Sequence, residues 1–547
     1  MKIKFSFFAA FLIAATTAFA QDGKPAQDWF LQSPAKANVQ GISIEETYQT
    51  VLKDRKGETV IVAVIDSGVD YDHEDLKDVM WVNKDEIAGN GKDDDNNGYI
   101  DDIHGWNFIG GKDGRNVNDD NLEVARVYKH LKPKYDGKER GDIKGKKNKR
   151  EYDLYQRAKK DIESNRDSKN QDIAVYSGIV ESIGKIQEAL GKEDVTAEEL
   201  ENYETDDEAM QRSILVLQNI MQRNPNLSEV EESLSGYVEY LEKSVKYNYN
   251  PDFDPRADIV GDNYADSYEK GYGNNTYDGP DAMHGTHVAG IIAATRGNNI
   301  GMNGVADNVQ IMTIRAVPNG DERDKDVANA IIYAVDNGAG IVNMSFGKGF
   351  KWDKEAVDKA VKYAMKNDVL LVHAAGNSAQ DNDVADNFPN DGFEKKGLFG
   401  PKAAKNWVEV GALNWEGGEK SPASFSNYGK GNVDIFAPGV DIYSTVPDDK
   451  YEFLQGTSMA APVVAGVAAV LRSYYPDLTA VQVKEIMMQS IDPITVKVLK
   501  PGTDEKVNFT DLAISGGTIN ALKAVKKAEK TKGKKKGVKR PMKKDNA

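Results

Sequence analysis

The stretch TVIVAVIDSG, residues 59–68, decides the fold of this chain. Residues 60–65 are all apolar and mostly β-branched, and Asp66 follows them directly. A run that is apolar at successive positions is typical of a strand buried on both faces, as strands are in parallel sheets. The stretch therefore predicts a central parallel strand with Asp66 at its carboxyl end.

Downstream of residue 283, strand-like and helix-like segments alternate. The predicted helices read HGTHVAGIIAA, VANAIIYAVDNG, DKEAVDKAVKYAMKND and GTSMAAPVVAGVAAVL, and the predicted strands read VQIMTIRAV, AGIVNMSFG, VLLVHAAGN, VEVGAL and VDIFAPG. Strands that alternate with helices predict a parallel sheet with a helical layer on each face. The expected fold class is therefore α/β, in three layers.

Residues 121–250 differ from this body in composition. They are rich in Lys, Glu, Gln, Asn and Tyr, and their apolar residues recur at helical spacing. We expect a lead-in at 21–56, a body formed by 57–120 and 251–525, a helical insertion at 121–250, and a basic tail at 526–547. The tail is predicted to be disordered, with adhesion to a surface as the alternative.

Bulk composition excludes several classes of function. The chain has 547 residues, a formal net charge of -17 and no cysteine. The acidic balance argues against nucleic acid as a partner, because phosphates are bound by basic surfaces. Without cysteine there are no disulfides, thiolate metal sites or cysteine nucleophiles.

The N-terminus has the pattern of a signal peptide. Two lysines precede an apolar run, and Ala18-Phe19-Ala20 matches an A-x-A cleavage site. We predict that residues 1–20 are removed on export to the periplasm or the medium; a retained N-terminal anchor is the alternative. No later run of 18 apolar residues predicts a transmembrane segment.

Three polar residues stand at the ends of predicted regular elements. Asp66 ends a strand, and His284 and Ser458 each begin a helix. Such positions converge outside the carboxyl ends of parallel strands. An acid, an imidazole and a hydroxyl brought together there would perform acyl transfer. The structural alternatives are that Ser458 is only a helix N-cap and that Asp66 only shapes a turn.

The segments around these residues resemble a known family. VIVAVIDSGVDYDHEDL, HGTHVAGIIAA and GTSMAAPVVAGVAAVL are similar to the signature segments of the subtilisin-like serine proteases (subtilases, peptidase family S8), and they occur in that family's order. The resemblance implies a subtilisin-like fold for the body and a serine endopeptidase acting on protein or peptide substrates, which the signal peptide predicts to be exported. It implies that Asp66 orients the base, His284 is the base and Ser458 is the nucleophile.

The resemblance also implies residues that bind the substrate. HAAGN matches the family's oxyanion segment, which makes Asn377 the expected oxyanion donor together with the backbone N–H of Ser458. NMSFG resembles the edge segment that pairs with an extended substrate, so Ser345 and Gly347 are expected to offer backbone hydrogen bonds. His287 and His373 are interpreted as structural residues.

The acidic loop GNGKDDDNNGYIDD, residues 89–102, predicts a second site. Oxygen-bearing side chains at alternate positions, followed by Gly98, are typical of loops that wrap a hard cation. We predict a structural Ca²⁺ bound by five ligands: Asp93, Asp95, Asn97, Tyr99 through its carbonyl, and Asp102, with Asp101 as the alternative for the last carboxylate. The glutamate that ends an EF-hand loop is replaced by His104, and an acidic turn without an ion is the alternative.

The role of the insertion and the activity of the body each have alternative interpretations. The insertion separates Asp66 from His284, so it would gate the cleft, recognise a protein substrate, or be an inert surface elaboration. A catalytically silent relative that binds peptides or proteins is the alternative function. An esterase with the α/β-hydrolase motif is a weaker third interpretation, because residues 456–460 read G-T-S-M-A, not G-x-S-x-G.

Overall fold

The computed structural model describes residues 24–221, 226–395 and 400–536. The predicted signal peptide, residues 1–20, lies outside the described residues. The α-helices in the described ranges are α1 (Pro34–Ala37), α2 (Ile44–Gln49), α3 (Glu123–Tyr135), α4 (Lys146–Leu190), α5 (Ala197–Glu201), α6 (Glu208–Met221), α7 (Leu227–Lys243), α8 (Arg256–Ile259), α9 (Met283–Ala293), α10 (Asp324–Asp336), α11 (Lys354–Lys366), α12 (Thr457–Tyr474), α13 (Ala480–Met488) and α14 (Ala521–Lys530).

A nine-stranded sheet forms the centre of the molecule, in the order β10-β13-β7-β6-β5-β4-β1-β3-β2. Its neighbouring strands are parallel except for the pair β10 and β13. Two small antiparallel pairs, β8–β9 and β11–β12, lie outside it. The strands are β1 (Val60–Asp66), β2 (Gly105–Asn107), β3 (Val309–Arg315), β4 (Ile341–Met344), β5 (Leu370–Ala374), β6 (Trp407–Leu413), β7 (Ile435–Pro438), β8 (Ile442–Val446), β9 (Lys450–Leu454), β10 (Ile491–Pro493), β11 (Lys497–Leu499), β12 (Lys506–Asn508) and β13 (Gly517–Ile519).

Strand β1 shows why the sheet has a helical layer on each face. Its side chains alternate between two cores: Val62 and Val64 pack with helices α9 and α12, whereas Ala63 and Ile65 pack with α10 and α11. All four of these residues are fully buried. Burial of both faces accounts for the unbroken apolar run, and the three-layer α/β prediction is confirmed.

The helical insertion has two hydrophobic cores of its own. The first lies between α3 and the first half of α4, and the second joins the far half of α4 to α5, α6 and α7. Helix α4 has 45 residues and is therefore about 67 Å long at 1.5 Å per residue. Helix α5 begins after Thr196, which forms a reciprocal capping box with Glu199.

Both ends of the described chain pack onto the body. Trp29, Phe30 and Leu31 of the lead-in are buried in the main core. At the other end, the boundary predicted after residue 525 is wrong, because it falls inside α14, where Ala528 is fully buried. The backbone N–H of Lys535 also donates to the carbonyl O of Asp477. Residues 537–547 of the predicted tail lie outside the described ranges.

Within residues 24–221, 226–395 and 400–536, none of the helices combines the length and the apolar character that a bilayer span requires.

Candidate active site

The sheet topology places three of the predicted site residues at the carboxyl ends of neighbouring strands. Strands β5, β4 and β1 are neighbours and run parallel, so their carboxyl ends lie side by side. Asp66 ends β1, Ser345 follows β4, and Asn377 follows β5 by three residues. This is the edge at which ligands bind in open α/β sheets.

Asp66 and His284 are in direct contact. The Nδ1 atom of His284 lies 2.7 Å from Oδ1 of Asp66, which also accepts the N–H of Ser67 at 2.8 Å. The close approach depends on Gly285, because a Cβ at that position would lie 2.0 Å from the carbonyl O of Gly68. Asp66 is 2% exposed, whereas the side chain of His284 is 39% exposed and open to the cleft.

Electrostatics favour a proton on His284. Burial lowers the pKa of this imidazole, but the charge of Asp66 and its hydrogen bond outweigh that effect, with a smaller contribution from Asp281. The net result is a pKa raised above the ordinary value of 6.5. The pair can therefore accept a proton and stabilise the imidazolium that results.

Ser458 is the second residue of helix α12. The N-cap is Gly456, so the alternative in which Ser458 is only an N-cap is wrong. Its Oγ donates to the carbonyl O of Ser345 at 3.0 Å, which turns the hydroxyl toward the end of β4 instead of toward His284. His284, Ser458 and Asn377 all line one open cleft of about 430 Å³.

The orientation of Asn377 is set by Thr457. Oδ1 of Asn377 accepts both the backbone N–H and the hydroxyl of Thr457, each at 2.9 Å. Thr457 Oγ1 in turn accepts the N–H of Gly376 at 3.1 Å, so its proton is directed to Asn377. Since Oδ1 is occupied twice, the Nδ2 group remains the donor that Asn377 can offer to an anion in the cleft. Thr457 was not predicted as a site residue, because only its contact with Asn377 in the folded protein reveals this role.

Ser345, one of the two residues predicted to pair with the substrate, contacts Ser458 directly. Ser345 Oγ donates to the carbonyl O of Ser458 at 2.8 Å and accepts Nδ2 of Asn343 at 3.0 Å. Ser345 and Ser458 thus hold each other through two hydrogen bonds. A Cβ at Gly347 would lie 2.8 Å from Oδ1 of Asn387, so a glycine here lets the backbone pass close to that side chain.

Both histidines interpreted as structural are fully buried. Nε2 of His287 lies 3.0 Å and 3.1 Å from the carbonyl oxygens of Ile442 and Glu452, and burial lowers the pKa of His287 to about 3. Nδ1 of His373 lies 3.0 Å from Glu409. Through these contacts His287 joins helix α9 to strands β8 and β9, and His373 joins β5 to β6.

In the acidic loop, two of the five predicted ligands converge. Asp95 and Asp102 meet Glu86, and one carboxylate oxygen from each lies within 4.8 Å of the others. Asp93 instead accepts the backbone N–H groups of Asn97 and Gly98. Glu86 was missed, because it lies outside the alternating pattern and meets the loop only after folding.

The other two predicted ligands have different contacts. Asn97 Nδ2 donates to Asp95 at 3.0 Å and to Asp102 at 3.1 Å, so it faces the cluster with its amide N–H₂. The ring of Tyr99 packs against those of Trp106 and Tyr333.

The fold and the site together define a class: a three-layer α/β protein with an Asp–His pair and a serine at the carboxyl edge of its parallel sheet. The model of the subtilase family matches residues 57–515. The chain belongs to the subtilase family.

Individual relatives are similar over part of their length. The thermophilic serine proteinase of Bacillus sp. (strain AK1) is 36% identical over 300 residues, covering 54% of this chain and 63% of the relative. The cell wall-associated protease of Bacillus subtilis (strain 168) is 32% identical over 286 residues, covering 50% and 30%. Thermitase of Thermoactinomyces vulgaris is 34% identical over 243 residues, covering 44% and 74%. The chain thus spans less than two thirds of the first two relatives.

Proposed function

We propose that this protein is an exported serine endopeptidase that hydrolyses peptide bonds through an acyl-enzyme intermediate. The observation that carries the proposal is the 2.7 Å contact of His284 with Asp66 in a cleft that Ser458 and Asn377 also line. Membership of the subtilase family supports it. The substrates are the peptide bonds of proteins or peptides.

The geometry suggests how each residue contributes. The Ser458 hydroxyl turns from Ser345 to His284, attacks the scissile carbonyl and transfers its proton to Nε2 of His284. Asp66 holds Nδ1–H and stabilises the imidazolium. Nδ2 of Asn377 and the free N–H of Ser458 in the first helical turn bind the oxyanion. His284 then protonates the leaving amine, and water cleaves the acyl-enzyme by the same steps.

A fluorophosphonate probe tests the proposal, because it reacts only with an activated serine. We expect wild-type protein to be labelled and Ser458→Ala to remain unlabelled. The alternative is a silent relative that binds peptides. It is favoured by one observation: the Ser458 hydroxyl donates to the carbonyl of Ser345 instead of to His284. If wild-type protein takes up no label, the enzyme proposal is wrong and the binding protein is supported.

Export is part of the same proposal. The A-x-A site at residues 18–20 predicts that the mature chain begins near Gln21. Mass spectrometry of the N-terminus, on protein from the periplasm and from the medium, distinguishes processing from a retained anchor. Intact Met1 on cell-bound protein would contradict export by cleavage.

We further propose that the cluster of Glu86, Asp95 and Asp102 binds a structural Ca²⁺. Three carboxylates share one site, and burial together with the charge of Asp95 raises the pKa of Asp102 to about 6, despite hydrogen bonds from Tyr333, Asn83 and Asn97. Oxygen donors crowded in this way fit a hard divalent cation, whose charge would offset their mutual repulsion.

Calcium is therefore expected to raise the melting temperature. At a free concentration 100 times its dissociation constant, an ion that binds only the folded state adds about 2.7 kcal/mol of stability. Differential scanning calorimetry with calcium and with a chelator measures the difference, which Asp102→Asn should remove. Asp94→Asn is the matched control, because Asp94 lies in the same loop but bonds Asn90 at 2.6 Å. A wild-type melting temperature indifferent to calcium would refute the site.

A further inference from the structure

The helical insertion is joined to the segment whose resemblance to the family's edge segment predicts pairing with an extended substrate. We define the edge segment as residues 345–350, which directly follow β4. Its last residue, Phe350, is 9% exposed and belongs to the hydrophobic core between α3 and α4 of the insertion. The edge segment therefore ends inside the insertion's own core.

The second connection is a buried ion network at Lys348. Its side chain is 1% exposed, and Nζ lies 2.8 Å from Glu123 of helix α3 and 2.8 Å from Asp324 of helix α10. Nζ also donates to the carbonyl O of Glu322 at 2.7 Å. Burial raises the pKa of Glu123, but Arg126 and Lys348 outweigh it and lower that pKa to about 2, so the pair stays charged.

The third connection is Arg157 of helix α4. Nη2 donates to the carbonyl O of Gly349 at 3.1 Å, and the guanidinium carbon lies 4.2 Å from the centre of the Phe350 ring. Nη1 lies 2.6 Å from Asp386, two residues before Phe388. Phe388 pairs with Lys348 through two backbone hydrogen bonds of 2.9 Å, so Arg157 contacts a neighbour of each member of this pair: Gly349 beside Lys348, and Asp386 near Phe388.

From these contacts we infer that the insertion holds the edge segment in place for extended substrates, with Arg157 and Lys348 as positioning residues. This inference rests on the proposed function. A peptide that adds as a strand needs backbone groups at fixed positions, and loosely supported groups bind it less tightly. An inert surface elaboration would have no reason to bury a lysine and an aromatic ring of this segment.

Substitution of Arg157 tests whether this residue positions the edge segment, independently of any effect on the folding of the protein. Its side chain is 46% exposed, so Arg157→Ala should fold normally. We expect KM for an extended hexapeptide to rise about fivefold, the size of one ordinary net hydrogen bond, with little change in kcat. The rate of fluorophosphonate labelling should stay at the wild-type value, because the small probe uses the serine, the base and the oxyanion donors alone.

Arg140→Ala is the matched control. Arg140 also lies in the insertion and is 59% exposed, and it forms a two-point ion pair with Asp153 at 2.6 Å and 2.9 Å, within the insertion. This variant should keep the wild-type KM. Arg157→Lys should give an intermediate KM, since a lysine can reach Asp386 but cannot also stack and bond Gly349.

The outcomes are distinct. If wild-type protein is neither labelled nor active on the hexapeptide, the proposed function fails and this inference falls with it. If wild-type protein is active and Arg157→Ala keeps its KM, the positioning role is overturned and the proposed function stands. If labelling and peptide hydrolysis fall in parallel in Arg157→Ala, the positioning role is equally overturned, because a parallel fall would indicate that Arg157 is needed for folding.

Discussion

Replacing Ser458 by alanine is expected to lower kcat for peptide hydrolysis by about 10⁶-fold, the loss measured for the nucleophile of a subtilisin, a relative from the same family. The physical reason is that the variant lacks the hydroxyl that His284 would activate for attack. KM should change little, since the edge segment and the oxyanion donors remain. Steady-state kinetics on one peptide, with both proteins at equal folded concentration, measures the effect.

Ser473→Ala is the matched control for this loss. Ser473 lies on the same helix, α12, and its buried Oγ has no hydrogen-bond partner among the described residues. Removing that hydroxyl should leave kcat at the wild-type value. If Ser458→Ala kept more than about a hundredth of wild-type kcat, the residual rate would exceed what transition-state binding supplies without a nucleophile, and the proposed mechanism would be wrong.

The fold was predictable because its signals are local. The apolar run before Asp66 reports burial on both faces, and each helix after residue 283 carries its own periodicity. The three-layer sheet follows from their alternation. The end of the body was misplaced for a local reason too: Lys526 and Lys527 make the last helix look like a tail, although Ala524 and Ala528 on its other face are buried.

The site was predictable only in part, because several of its contacts are distant in sequence. Three signature segments indicated Asp66, His284 and Ser458, and the structure places the first two in contact. Glu86 carries no local pattern that links it to Asp102, and Lys348 lies 225 residues from Glu123. Pairings of this kind are determined by the packing of whole elements, so no short window of sequence contains them.

Asp66→Asn is expected to give the second large effect, a fall in kcat of about 10⁴-fold, the size reported for the same change in a Ser-His-Asp triad. A neutral amide can still accept the N–H of Ser67, so the loop after β1 should keep its shape. It cannot stabilise the imidazolium that forms when His284 takes the serine proton. The loss should therefore lie in kcat, with KM and the melting temperature nearly unchanged.

The pH profile of the same variant tests the electrostatic account independently of rate. His284 must be neutral to act as a base, so activity falls as the pH drops through its pKa. Asp66 raises that pKa against the effect of burial. Without the carboxylate the pKa falls, and the acid limb of kcat/KM should move to lower pH.

Asp281→Asn is the control: it removes a nearby charge that makes no bond to His284, so the limb should move slightly and kcat should hold. An acid limb that stayed in place in Asp66→Asn would show that another group titrates there.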